Sequence, residues 1–184
     1  LEGGVEQRQE GPGSVKGGGG ARGTTEHICA SMLATKVGVD PKKVNYVAFR
    51  GGGEATAAIL GGNVTVGGGG YSEMAEYIAA GKMRPIGVTS EKRLPGINVP
   101  TMKEQGYDVV LGNWRGIYAA PGITPEQRAA LTDMVIKATK TKSWAESMEK
   151  NGWTPALLSG KAFDDFVDAE FASLRGIMHL AGMI

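Results

Sequence analysis

Three glycine-rich segments divide the first half of the chain into alternating strand-like and helix-like stretches. Glycine accounts for 30 of the 184 residues, against a usual share of about 7%, so the positions of the glycines constrain the fold. Residue types and apolar spacing predict strands at 14–16, 44–49, 64–66 and 84–90, and helices at 24–36, 54–60 and 72–80. Strands that alternate with helices indicate an α/β fold with a mostly parallel sheet and right-handed crossovers.

The C-terminal third is predicted to be mainly helical. Thr124-Pro125-Glu126-Gln127 is a capping box with proline at the first helical position, which is a strong helix start. Further helices are expected at 143–150 and after Ser159, short extended segments at 109–111 and 115–119, and a brief strand at 152–154. The helices carry broad apolar faces, formed by Leu131, Met134, Val135, Phe163, Phe166, Val167 and Phe171. Such faces need a sheet to pack on, so this chain alone should expose a large apolar patch.

The glycine loops are predicted to leave the carboxyl ends of the strands, where parallel α/β sheets bind ligands. Glycine lets backbone N–H groups approach a ligand closely, and the following helix presents unpaired N–H donors. Arg22 in the first loop and Arg50 in the second would add fork-shaped donors for a carboxylate. Hydroxyl groups come from Thr24, Thr25, Tyr71 and Ser72, and His27 lies one turn into the first helix. The loops together predict an anion site built mainly of backbone.

A plainer interpretation is open for each part of this site. The glycines can serve only turns and helix–sheet packing, and Arg22 and Arg50 can be solvated surface charges. His27 can be a helix residue that is satisfied by a neighbour instead of facing a cleft.

A dinucleotide site is the competing functional hypothesis. Residues 18–23 match the pattern GxGxxG between a strand and a helix. The second predicted strand ends at Phe49-Arg50, where a NAD site has an acidic residue, and Arg50 suits the 2′-phosphate of NADP instead. The later glycine loops have no role in this alternative.

Composition and motifs argue against several other classes. Lys plus Arg is 20 and Asp plus Glu is 19, which disfavours a nucleic-acid partner. No GxSxG, Walker-type or metal-spaced cluster is present, so we expect no catalytic residues, no metal and no cofactor. Cys29 is the single cysteine and excludes an intramolecular disulfide. There is no apolar run long enough to span a membrane and no apolar core typical of a signal peptide near residue 1.

From Val44 onward an ordered set of motifs resembles the Bug-type extracytoplasmic solute receptors of tripartite tricarboxylate transporters. The motifs are VNYVAFRGGGEA (44–55), AILGGNV (58–64), AAGKMRPIGVTSEKR (79–93), VPTMKEQGYDV (99–109) and NWRGIYAAPGITP (113–125). PGSVK (12–16), GTTEH (23–27) and LRGIM (174–178) fit the same family.

The resemblance implies a non-enzymatic, two-lobed periplasmic-binding-protein fold of type II, a venus flytrap that holds a small carboxylate. The receptor would be periplasmic and would deliver its ligand to the membrane components of the transporter. The implied ligand-binding residues are Gly20, Ala21, Arg22, Gly23, Thr24, His27, Arg50, Gly51, Gly52, Tyr71 and Ser72. Trp114 would lie near the return crossing between the lobes or act as a core anchor.

The same resemblance implies how the chain is divided. Residues 14–112 would form the second, ligand-binding lobe, and residues 113–184 would form the return to the first lobe and its C-terminal part. Residues 1–13 would be a fragmentary start, and the rest of the first lobe is expected to precede residue 1. The sequence departs from the family near Gly17, where members usually carry a large side chain, and near Thr65, where an acidic residue is common.

Overall fold

The computed structural model describes residue 11 and residues 13–184, so the predicted fragmentary start lies almost entirely outside the described residues. The strands are β1 (Gly17–Gly19), β2 (Tyr46–Ala48) and β3 (Val66–Gly67). The helices are α1 (Thr25–Lys36), α2 (Gly52–Leu60), α3 (Tyr71–Ala79), α4 (Pro125–Ala138), α5 (Lys142–Asn151) and α6 (Gly160–Leu180). Single 3₁₀ turns lie at Pro41–Lys43 and Lys103–Gln105.

The three strands form a parallel sheet in the order β2-β1-β3. Gly18 of the central strand is opposite Val47 on one side and Gly67 on the other. Each strand is followed by a helix, so the predicted α/β fold with a parallel sheet is confirmed.

The position of the first strand was predicted wrongly. The glycine run itself is the strand, and residues 14–16 precede it. The Gly17 N–H donates to the Asn45 carbonyl and the Phe49 N–H donates to the Gly19 carbonyl, so backbone pairing continues through the glycines. Intrinsic preference disfavours glycine in strands, and pairing with two flanking strands overrides that preference here.

Close packing on both faces of the sheet explains why glycine occupies these positions. A Cβ built on Gly18 would lie 3.1 Å from Val64 side-chain carbons, and one on Gly19 would lie 2.6 Å from Glu26 Cβ. A Cβ on Gly67 would lie 2.2 Å from Ile59 Cδ1. The space that side chains normally fill is therefore taken by α1, α2 and neighbouring loops.

Between α3 and α4 the chain has little regular structure. The predicted fourth strand at 84–90 is reduced to an isolated parallel bridge between Val88 and Thr101. Val109 and Leu111 are buried, but residues 109–111, 115–119 and 152–154 join no ladder in the described part of the chain. The brief strand predicted at 152–154 is therefore wrong, whereas 109–111 and 115–119 were predicted only as extended segments.

The helices of the C-terminal third begin close to where the sequence places them. The Thr124 hydroxyl accepts the Gln127 N–H, and Gln127 Oε1 accepts the Thr124 N–H, so the capping box at α4 is confirmed. The Thr141 hydroxyl accepts the Trp144 N–H at the start of α5, and α6 begins at Gly160, next to Ser159.

The chain divides into two compact units. The first comprises the chain up to Asn113 together with Glu170–Ile184, and the second is Trp114–Ala169. Every buried residue in the described part of the chain belongs to the first unit and lies between Val15 and Leu111. The lobe boundaries that the resemblance implies stay a prediction.

The second unit has aromatic contacts but no buried residue. The Trp114 ring lies 5.2 Å from the Phe166 ring and 6.2 Å from the Phe163 ring, centroid to centroid. The Arg115 guanidinium lies 4.6 Å from the centre of the Trp153 ring. Among the described residues, no helix is both long enough and apolar enough to cross a membrane.

Candidate functional site

The three strand-to-helix loops meet at one edge of the sheet. Because β1, β2 and β3 are parallel neighbours, their carboxyl ends and the amino termini of α1, α2 and α3 share that edge. The loops are Gly20–Thr24, Phe49–Gly51 and Gly68–Gly70. The topology therefore brings together the loops that contain the residues singled out from the sequence, as an anion site requires.

No N-cap side chain makes a capping hydrogen bond to a first-turn amide of these three helices. Thr24 is the N-cap of α1, but its hydroxyl makes no capping hydrogen bond. Its Oγ1 lies 2.7 Å from the Ala21 carbonyl and 3.0 Å from Glu26 Oε2. The N-caps of α2 and α3 are Gly51 and Gly70, and glycine has no side chain that could accept a hydrogen bond from a first-turn amide. Backbone N–H donors at helix amino termini favour anions.

The first loop is held from beneath by two stacked rings. The His27 and Tyr46 ring centroids are 4.3 Å apart and the rings are inclined by 18°. His27 Nδ1 accepts the Gly23 N–H at 3.1 Å, and the Tyr46 hydroxyl donates to the Gly20 carbonyl at 2.8 Å. Gly23 has a φ of 82°, a conformation that L side chains rarely adopt. His27 is 5% exposed, so it supports the loop from below, as the neighbour-satisfied interpretation expects.

Burial and nearby charges shift the protonation of this pair. Burial first, and then the Arg22 guanidinium, lower the pKa of His27 below its usual 6.5. Burial first, and then Glu26, raise the pKa of Tyr46 to about 12. At neutral pH the imidazole is therefore uncharged and the phenol keeps its proton.

Each of the three helices has a glutamate in its first turn that approaches the loops. Glu26 lies between the first and third loops, since a Cβ on Gly20 would be 3.1 Å from its Oε2 and one on Gly68 would be 3.3 Å from its Cγ. Glu54 Oε2 accepts the Arg50 N–H at 3.1 Å, and Glu73 Oε2 accepts the Gly70 N–H at 2.9 Å. These carboxylates were not among the residues predicted for the site; they match the helix dipole and compete with an incoming anion.

The two arginines supply the opposite charge. Both are exposed, and one terminal nitrogen of Arg22 lies 3.5 Å from the Tyr46 carbonyl oxygen. The Arg50 guanidinium has no ion-pair partner among the described residues. Arg50 is therefore an exposed cation beside the second loop that forms no ion pair within the described part of the chain.

A groove begins next to the second and third loops. It has a volume of about 320 Å³ and is lined by residues of α2 and α3, among them Gly52, Thr56, Leu60, Glu73 and Tyr77. Tyr71 and Ser72 lie in the first turn of α3. Gly51 is the N-cap of α2, and Gly52, the first residue of that helix, lines the groove.

The dinucleotide alternative finds no support in this geometry. Gly18 and Gly19 of the apparent GxGxxG pattern are paired strand residues, so only its last part forms a loop. In residue 11 and residues 13–184 no group of His, Cys, Asp and Glu side chains is arranged to hold a metal ion.

Comparison with known proteins shows the family to which this chain belongs. The family described as "Tripartite tricarboxylate transporter family receptor" matches residues 3–183. A TctC solute-binding protein from Polaromonas is 28% identical with a TM-score of 0.75, over 95% of this chain and 61% of that one. The fold is thus that of a periplasmic solute-binding protein, and the chain belongs to the receptor family of tripartite tricarboxylate transporters.

One curated protein and one solved structure are also similar to nearly the whole of this chain. Protein BugT of Bordetella pertussis is 25% identical over 97% of this chain and 54% of its own length. R. palustris Rpa4515, solved with adipate, is 22% identical with a TM-score of 0.75, over 97% of this chain and 59% of that one. The chain spans about half the length of the curated relatives it matches.

Proposed function

We propose that this chain belongs to a periplasmic receptor that captures a small mono-, di- or tricarboxylate without turnover. The ligand is then delivered to the membrane components of a tripartite tricarboxylate transporter. One observation carries the proposal: three helix amino termini, none capped by its N-cap side chain, converge at one sheet edge beside Arg22 and Arg50. Membership of the receptor family supports it.

In the proposed receptor, residues 14–112 form the ligand-binding second lobe and residues 113–184 return to the first lobe. The division between Asn113 and Trp114 supports the start of the return. The grouping of Glu170–Ile184 with the first unit means that the last turns of α6 contact the second lobe in this arrangement.

A carboxylate panel tests the proposal on the purified protein. Malate, adipate and citrate, with NADP as a separate arm, are titrated by calorimetry and by thermal shift. A bound acid at about 100 times its Kd stabilises the protein by about 2.7 kcal/mol, which is visible as a higher melting temperature. A melting shift with NADP and with no carboxylate would replace the receptor proposal by a dinucleotide site.

Replacing Arg50 by alanine should weaken carboxylate binding by about 1.5–3 kcal/mol, the range for a charged hydrogen bond. The fold should persist, because the Arg50 side chain is exposed and has no ion pair among the described residues. Calorimetry gives the affinity, and the melting temperature reports the fold.

Arg84→Ala is the matched control, because Arg84 is also exposed and follows the carboxyl end of α3, away from the loops. It should bind as tightly as the native protein. Equal affinity of both variants would mean that backbone amides suffice and that Arg50 is a solvated surface charge.

A further inference from the structure

The first loop is fastened at both of its ends to the same pair of rings. Tyr46 donates its hydroxyl proton to the Gly20 carbonyl at 2.8 Å, and Gly23 donates its N–H to His27 Nδ1 at 3.1 Å. The two rings stack on each other at 4.3 Å. Because Gly20 and Gly23 are three residues apart, these contacts determine how the loop between them presents its amides.

The contact at Gly23 requires one protonation state of the imidazole. A neutral histidine has one acceptor nitrogen and one donor nitrogen, and both nitrogens become donors when it is protonated. Acceptance of the Gly23 N–H by Nδ1 places the single proton of neutral His27 on Nε2. Protonated His27 has no lone pair for Gly23, so the loop loses its fastening at that end.

We propose that His27 and Tyr46 are positioning residues that hold the anion-binding loop in its binding conformation, and that protonation of His27 releases it. Ligand affinity is then high at neutral pH and falls on acidification. This inference rests on the proposed carboxylate-binding function for its effect on affinity, while the loop fastening itself is a property of the unliganded protein.

The charged and titratable groups around His27 come from three elements. Arg22 lies in the loop above, Glu26 precedes His27 on α1, and Tyr46 comes from β2. The methyl group of Met178 on α6 lies 3.6 Å from the position of a Gly23 Cβ, and it does not titrate. Burial and Arg22 lower the pKa of His27, so the native protein binds fewer protons than the unfolded chain just below pH 6.5. Native stability consequently falls as the pH drops from 6.5 to the lowered pKa, and the loop is released as the pH passes through that lowered pKa.

The first test follows the Gly23 amide in the unliganded, intact polypeptide. Tyr46→Phe removes only the hydroxyl, His27→Leu keeps the volume without an acceptor, and His27→Asn retains an acceptor oxygen near the Nδ1 position. Hydrogen-exchange protection across the loop should fall by about 2- to 12-fold in Tyr46→Phe and His27→Leu, the range for one hydrogen bond. His27→Asn should keep most of the protection, and ¹⁵N shifts should report the Nε2–H tautomer in the native protein.

The second test measures malate and adipate affinity against pH. The native affinity should fall as the pH drops through the lowered pKa of His27, in addition to the decline that protonation of the acids themselves causes. His27→Asn should bind within about threefold of the native protein at neutral pH. Protonation of malate or adipate weakens binding to both proteins equally, so His27→Asn should show only that part of the fall in affinity on acidification. Tyr46→Phe should bind about 2- to 12-fold more weakly at every pH and keep the decline.

The outcomes separate the two proposals. If protection and affinity in Tyr46→Phe and His27→Leu equal those of the native protein, the rings only pack and the positioning role is overturned. A decline that persists unchanged in His27→Asn assigns the pH dependence to another group and overturns the release. If the variants change loop protection as stated and no carboxylate binds, the fastening stands and the proposed ligand is wrong. Should His27→Leu fail to fold, Tyr46→Phe and His27→Asn decide the matter.

Discussion

Gly19→Ala should lower the free energy of unfolding by about 1–3 kcal/mol, the usual cost of overpacking a tight site. The added Cβ would lie 2.6 Å from Glu26 Cβ and 2.6 Å from the Tyr46 hydroxyl oxygen. Neither atom is the free end of a flexible side chain: Glu26 Cβ is fixed to the first turn of α1, and the hydroxyl is bonded to the Gly20 carbonyl. Relief therefore requires movement of the helix or rupture of the loop contact.

Gly53→Ala is the matched control for this substitution. Gly53 lies in the first turn of α2 with nothing within 4 Å of a built Cβ, and alanine is favoured over glycine in helices by up to about 1 kcal/mol. It should leave stability unchanged or raise it. Urea unfolding of both variants, analysed with a common m-value, gives the comparison. A Gly19→Ala protein as stable as the native one would place α1 farther from β1 than the structure has it.

The helices could be predicted from local chemistry because their signals lie within a few residues. Thr124 and Gln127 form the capping box that their spacing indicates. The glycine strand could not be predicted, since its partners Tyr46–Ala48 and Val66–Gly67 are distant in sequence and supply the backbone pairing. The segment at 84–90 has strand-like residue types, but forms only one bridge because few neighbours pair with it in the described chain.

The candidate site could be predicted in part for the same reason. Glycine loops and arginines are visible in the sequence, and the topology groups the loops at one edge. Tyr46 was missed because it reads as an ordinary strand aromatic, and its contact with Gly20 spans 26 residues. Glu26 was missed because an acidic residue in a first helical turn is common. Nothing in one sequence distinguishes Tyr46 from other strand tyrosines, or Glu26 from other glutamates in first helical turns.

The helical segment after Trp114 should cause self-association when the 184-residue chain is purified alone. No residue of Trp114–Ala169 is buried, and large apolar side chains remain open to solvent, with Leu131 at 41%, Met134 at 59% and Leu157 at 56% exposure. Large apolar side chains that stay exposed favour association when they lie together on a surface. Light scattering after size exclusion should give a mass at least about twice 19.2 kDa, together with strong binding of a hydrophobic dye.

Paired variants on α4 identify the responsible face. Leu131→Gln with Met134→Gln removes two exposed apolar side chains and should shift the population towards the monomer and reduce dye binding. Ala129→Gln with Ala130→Gln adds the same two amides at exposed positions of the same helix and should leave association unchanged, because no large apolar group is lost. A native chain that stays soluble and monomeric at 19.2 kDa without binding dye would contradict this expectation, because it would show that these helices cover their own apolar faces.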